Sequence, residues 1–191
     1  MAVVLSKGGN VSLTKEAPGL KRIQIGLGWD VRSTDGQDFD LDAMAFMLTS
    51  EGRVRNDSDF IFFNQLKSAC GHVQHMGDNR TGAGDGDDES IKVNLEKLTG
   101  DITRISLCVI IYEGVARNQN FGGVRNAYIR IINDEDGKEL ARYDLSEDYA
   151  GETAMIFGEV YRHNGDWKFK AVGQGYREGF AKMVQSYGVN A

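Results

Sequence analysis

Arg22-Ile23-Gln24-Ile25-Gly26-Leu27-Gly28-Trp29 is the stretch whose reading decides the fold class. Ile23, Ile25, Leu27 and Trp29 fall at every second position, the period of a strand with one face buried. Working outward, residues 41–49, 59–64, 90–95, 104–112, 126–133, 139–145, 153–162 and 166–172 read as further strands. They are rich in Ile, Val, Phe and Tyr and are bounded by Gly, Asn and Asp. Asp136-Gly137 and Asn164-Gly165 suit tight hairpin turns that need positive φ. Residues 59–64 and 104–112 are apolar on both faces, which predicts central strands with a layer on each side. One helix is expected, at the end. There Tyr176, Phe180, Met183, Val184 and Tyr187 recur at helical spacing before Gly188, and core packing explains that stripe better than a cofactor does. The expectation is a mainly-β, two-sheet β-sandwich with a C-terminal α-helix, formed by residues 1–191 as one domain.

With 191 residues, 41% hydrophobic and 26% charged, the composition is that of a chain able to bury its own core. No apolar run approaches the roughly 18 residues of a membrane helix. Met1-Ala2-Val3-Val4-Leu5-Ser6-Lys7-Gly8-Gly9 lacks the basic start and apolar stretch of a signal peptide, so a cytoplasmic location is expected. Two cysteines are too few for a secreted framework. Cys108 reads as a buried small hydrophobe.

The formal net charge is −6, and it is concentrated. Asp30, Asp35, Asp38, Asp40 and Asp42 stand against Arg32, a local net of −4. Asp78, Asp85, Asp87, Asp88 and Glu89 stand against Arg80, again a net of −4. Everything else is slightly positive. Nucleic acid is therefore excluded as the ligand of these two stretches.

In an extended chain Asp38, Asp40 and Asp42 share one side, and Phe39 and Leu41 turn to the core. Gly82, Gly84 and Gly86 free the backbone of the second stretch to curl, with Asp87, Asp88 and Glu89 supplying charge before a strand. Two carboxylates about 5 Å apart near a surface repel by on the order of 3 kcal/mol at an effective dielectric of 20. Several brought together need a counter-ion or must protonate. Carboxylates, the Asn64 amide and a flexible Gly loop favour calcium over magnesium, and disfavour zinc or copper. A solvated loop explains one such pattern; two in one domain, each ending at a strand, point to metal. An EF-hand is excluded, because the sixth and twelfth positions counted from Asp38 are Ala43 and Thr49. Both stretches are expected to meet at one rim of the sandwich, with Asn64 between them.

Other signals are weaker. Cys70-Gly71-His72-Val73-Gln74-His75 has no second Cys pair, and its histidines read as exposed loop residues. The alternating glycines are not followed by the Lys-Ser/Thr of a phosphate loop, and neither GxSxG nor HExxH occurs. Arg117, Arg125 and Arg130 with Asn118, Asn120 and Asn126 form a polar–basic stretch. It offers a place for a phosphate or an acidic partner, although a solvated loop and strand edge explains it better.

Longer motifs carry a resemblance. They include Leu5-Ser6-Lys7-Gly8-Gly9-Asn10, Gly26-Leu27-Gly28-Trp29-Asp30, Phe39-Asp40-Leu41-Asp42-Ala43 and Phe60-Ile61-Phe62-Phe63-Asn64. Gly77-Asp78-Asn79-Arg80-Thr81-Gly82 leads into Gly86-Asp87-Asp88-Glu89, and Arg125-Asn126-Ala127, Ala141-Arg142-Tyr143-Asp144-Leu145 and Trp167-Lys168-Phe169 follow. Over its whole length the sequence resembles the TerD family of tellurium-resistance and stress-response proteins. The resemblance implies a β-sandwich that binds Ca2+, two ions by expectation, without known catalysis. It implies Asp30, Asp40, Asp42, Asn64, Asp78, Asp87, Asp88 and Glu89 as ligands, with Asp38 and Asp85 of second rank and position 65, here Gln65, open. It also implies partners among other tellurium-resistance operon proteins, including a membrane protein, which would bring the chain to the inner face of the membrane. The alternatives are a small-ligand protein for a nucleotide or tellurium oxyanion, for example near Arg125 and Arg130, and a metal-dependent hydrolase.

Overall fold

The structure, a computed structural model, describes residues 2–30, 36–77, 80, 82, 86–145 and 149–190. Twelve strands form two six-stranded sheets among the described residues. Sheet A runs in the order β1 (Val3–Leu5), β10 (Glu139–Asp144), β9 (Tyr128–Asn133), β3 (Arg22–Gly28), β7 (Glu89–Asn94), β6 (Val73–His75). Sheet B runs β2 (Asn10–Ser12), β12 (Asp166–Tyr176), β11 (Ala154–His163), β8 (Arg104–Ile111), β4 (Leu41–Leu48), β5 (Phe60–Ile61). All pairings are antiparallel except β1 with β10. A one-turn helix, α1 (Leu13–Glu16), follows β2, and α2 (Gly179–Ser186) closes the chain.

The period-2 reading of β3 holds: Ile23, Ile25, Leu27 and Trp29 are all buried in the core between the sheets. β4 is buried along its whole length because its two faces serve two cores. Leu41, Ala43, Ala45 and Met47 face the inter-sheet core. Met44, Phe46 and Leu48 join a second core with Cys108, with Met183 and Val184 of α2 and with Tyr187, which caps that helix. β8 has the same double burial, as its sequence implied. At Asn164-Gly165 both residues have positive φ, 51° and 85°, so the second hairpin turns as its residue types require.

Three expectations are corrected. Residues 59–64 do not form a central strand; only Phe60–Ile61 is extended, and it is the edge of sheet B. Both of its faces are apolar because Ile61 lies in the core between the sheets, while Phe60 on the outer face stacks on Phe46 (ring centroids 4.4 Å) and meets Phe180 of α2 at 6.2 Å. His75 is not an exposed loop residue; it is buried on β6. Finally, β1, β2 and β6 are three-residue strands too short for a period to show.

Candidate metal centre

The C-terminal end of β3, the start of β4, the start of β7 and the end of β8 share one rim: Leu27 pairs with Glu89 in sheet A, Leu41 pairs with Ile111 in sheet B, and Ala43 bonds to Glu89 between them. The rim is fastened across the sheets by side chain–backbone bonds. Ala43 N–H of β4 donates to Glu89 Oε2 of β7 at 2.7 Å. The Trp29 indole N–H reaches across to Phe39 O at 3.3 Å, while within sheet A the Trp29 backbone N–H donates to Asp88 Oδ2 at 2.9 Å. Gly82 is packed so closely on that indole that a Cβ there would overlap it. The two acidic segments therefore do meet in space.

They do not present one uniform cluster. Asp38, Asp40 and Asp42 line a cavity of about 330 Å³ together with Gln37, Phe63, Arg80, Tyr112 and Arg117. Asp40 and Asp42 are buried, at 8% and 3% exposure. Asp40 is held by the loop after β8: Tyr112 N–H donates to Asp40 O at 2.8 Å, and Arg117 Nη1 stands 3.9 Å from Asp40 Oδ2. Gln119 extends the clamp, its Nε2 donating to Gln37 O at 2.8 Å and Asp38 O at 3.2 Å.

Asp87 lies against the outer face of sheet A. Its Oδ1 accepts from Arg130 Nε at 2.7 Å and Tyr128 OH at 3.2 Å, over Gly26, where a Cβ would collide with the carboxylate. Burial, then the Asp87 charge, pushes the Tyr128 hydroxyl up to about 12. Asp88 is shifted above its ordinary 3.8, first by burial and then, against the opposing Trp29 N–H, by the charges of Asp87 and Asp30. Asp30 is exposed and accepts from Asn126 Nδ2 at 2.6 Å. Glu89 is buried, its Oε2 also 3.5 Å from His75 Nε2, while His75 Nδ1 accepts from Gly77 N–H at 3.1 Å.

Asn64 departs from expectation. It does not line the acidic cavity but a neighbouring apolar groove of about 620 Å³, whose walls share Phe63 and Tyr112 with that cavity. Asp78 and Asp85 lie outside the described residues. The anion site at Arg130 is also corrected, since its guanidinium is taken by Asp87 and by Glu139 at 3.0 Å. Sequence reasoning missed the convergence of Arg80 and Arg117 on the acidic side chains, and the roles of Trp29, His75 and Gln119. For Trp29 a signal existed in its place between the strand and Asp30. For Arg117 and Gln119 none did, because only the β4–β8 pairing brings them to Asp40.

In kind, the donors suit a hard cation: three carboxylates, two of them buried, open onto one cavity. Among the described residues, no three His, Cys, Asp or Glu are arranged to hold an ion by themselves. A site built from Asp38, Asp40 and Asp42 therefore needs further oxygens.

Residues 1–187 match the model of the TerD domain. The chain belongs to the TerD family. It is 61% identical over 191 residues to tellurium resistance protein TerD of Alcaligenes sp., covering all of both chains. It is 52% identical over 190 residues to general stress protein 16U of Bacillus subtilis, covering 99% of this chain and 98% of that one. A crystal structure of a TerD homologue from Streptomyces coelicolor has the same fold, with a TM-score of 0.68 at 24% identity over 91% of this chain and all of the other. Its TerD relatives thus place the chain in the tellurium-resistance and stress-response family.

Proposed function

We propose that this chain binds calcium at the acidic rim and serves the tellurium-resistance and stress response as a sensor or scaffold, not as a catalyst. The observation that carries the reading is the convergence of Asp38, Asp40 and Asp42 on one cavity, with Asp40 and Asp42 buried. Burying carboxylates side by side is unfavourable unless positive charge joins them. Asp38, Asp40 and Asp42 would hold the ion, and Asp30, Asp78, Asp85, Asp87, Asp88 and Glu89 are the further proposed ligands from the neighbouring segments. Calcium, when bound, would supply the positive charge that neutralises these neighbouring carboxylates. Gln119 keeps the first segment in place, its side chain donating to the backbone of Gln37 and Asp38.

Two ions, a cytoplasmic location and partners among other tellurium-resistance proteins, including one in the membrane, complete the proposal. No helix of the described residues is long and apolar enough to cross a membrane. Isothermal titration of the purified chain with calcium and with magnesium tests the reading. Calcium should bind with measurable heat and magnesium much more weakly, and Asp42→Ala should weaken calcium at least tenfold, about 1.4 kcal/mol. No calcium heat in the wild type would overturn it.

A further inference from the structure

We propose that Arg117, beside Arg80 on the same cavity wall, is a resident counter-ion of the acidic cavity and that calcium must displace it, so that this guanidinium lowers the affinity of the site. The inference rests on the calcium reading above. Arg117 lines the same cavity as Asp38, Asp40 and Asp42, and its side chain is only 16% exposed. Its Nη1 is 3.9 Å from Asp40 Oδ2, close enough for charge neutralisation and too far for a hydrogen bond. The pair is electrostatic and loose.

A second resting place for the guanidinium is already built. Arg117 Nη2 lies 3.4 Å from Glu113 Oε2, whose side chain is 55% exposed, and the guanidinium sits 5.1 Å from the centre of the Tyr112 ring. Arg117 is thus suspended between a buried carboxylate of the cavity and a surface carboxylate of its own loop. When a divalent cation takes Asp40, Arg117 keeps Glu113 and Tyr112 and gives up only its weaker contact. The loop itself does not depend on the arginine. Tyr112 N–H to Asp40 O, Gln119 Nε2 to Gln37 O, and Gln119 N–H to Gly114 O at 2.7 Å fasten it independently.

Removing the charge therefore acts with opposite sign in the two states. Without metal, Arg117 relieves repulsion among the buried carboxylates, and its loss destabilises. With metal, the same positive charge repels the incoming ion, and its loss strengthens binding. A residue that merely holds the loop in shape would weaken both states.

The test compares wild type, Arg117→Gln and Arg117→Lys by calcium titration calorimetry and by melting in EDTA. Arg117→Gln should bind calcium about tenfold more tightly and melt lower in EDTA. Arg117→Lys, which keeps the charge, should bind within about threefold of wild type. In the wild type, the Arg117 Nε–H resonance, assigned by its loss in Arg117→Lys, should shift on calcium saturation; this readout stands even if Arg117→Gln does not fold. Equal or weaker calcium binding by a folded Arg117→Gln, or an unmoved resonance, overturns the inference alone. No calcium binding by the wild type overturns the calcium reading and the inference with it.

Discussion

The Asp88 carboxylate accepts the Trp29 N–H at 2.9 Å, yet burial and the nearby charges of Asp87 and Asp30 raise its pKa above 3.8. Between the ordinary value and the raised one, the unfolded chain has released this proton while the native chain still holds it. Stability from this group therefore falls as pH rises through that window. Asp88→Asn keeps an acceptor for Trp29 and removes the charge. In EDTA it should melt no lower than wild type at pH 7, and its melting temperature should depend less on pH just above 3.8. Scanning fluorimetry across pH checks this; a loss of several degrees at pH 7 would show that the charge itself is needed. Gly26 makes the converse point on the outer face of sheet A. A Cβ at Gly26 would occupy the place of the Asp87 carboxylate that Arg130 and Tyr128 hold. Gly26→Ala should cost about 1–3 kcal/mol in urea unfolding, the range for overpacking a close contact. The glycine was plain in the sequence. Its reason was not, since that lies in a side chain from a different segment.

Helix α2 shows what a periodic pattern conveys and what it leaves out. Its apolar stripe announced a helix packed on the core, and Met183, Val184 and Tyr187 are indeed buried against sheet B. The stripe gave no hint that the Tyr187 hydroxyl pairs with Ser106 Oγ at 2.6 Å, inside a core that also holds the Phe46 ring 4.6 Å away. Tyr187→Phe should cost about 1–2 kcal/mol by leaving buried Ser106 without that partner, and Ser106→Ala in the same chain should recover part of the loss. Additive losses in the double variant would mean that the hydroxyls do not act as a pair. The long strands were legible because each runs over six or more residues, alternating in β3 and β7 and apolar on both faces in β8. Phe60–Ile61 was misread as central because burial on both faces looks the same whether the cover is a second sheet or a helix. His75 was misplaced for a related reason: three residues carry no period, and its burial follows from pairing β6 with β7.

At the scale of the molecule, the rim is where the sheets are joined by polar contacts, through Ala43 to Glu89 and Trp29 to Phe39, with Trp29 to Asp88 tying β3 to β7 within sheet A. Charge density along the sequence located that rim correctly, because clustered carboxylates are visible without knowing the fold. Asp40 and Arg117 meet only through the pairing of β4 with β8, so the balance of charge inside the cavity was not visible. That balance fixes what calcium should do to the whole fold. An ion that binds the native chain and not the unfolded one stabilises by about 2.7 kcal/mol at a hundredfold excess over Kd. For a chain of this size each kcal/mol moves the melting temperature by about 2–4 °C, so saturating calcium should raise it by about 5–10 °C over EDTA. Magnesium, which dehydrates reluctantly and demands an octahedral shell, should give a clearly smaller rise. Because both ions carry the same charge, nonspecific screening of the acidic surface would raise the two curves alike and would fade in high salt. Calorimetric scans in EDTA, magnesium and calcium at low and high salt separate these outcomes. A calcium-selective rise that survives salt supports an ion held at the rim, whereas three coincident curves would leave the acidic stretches as solvated surface.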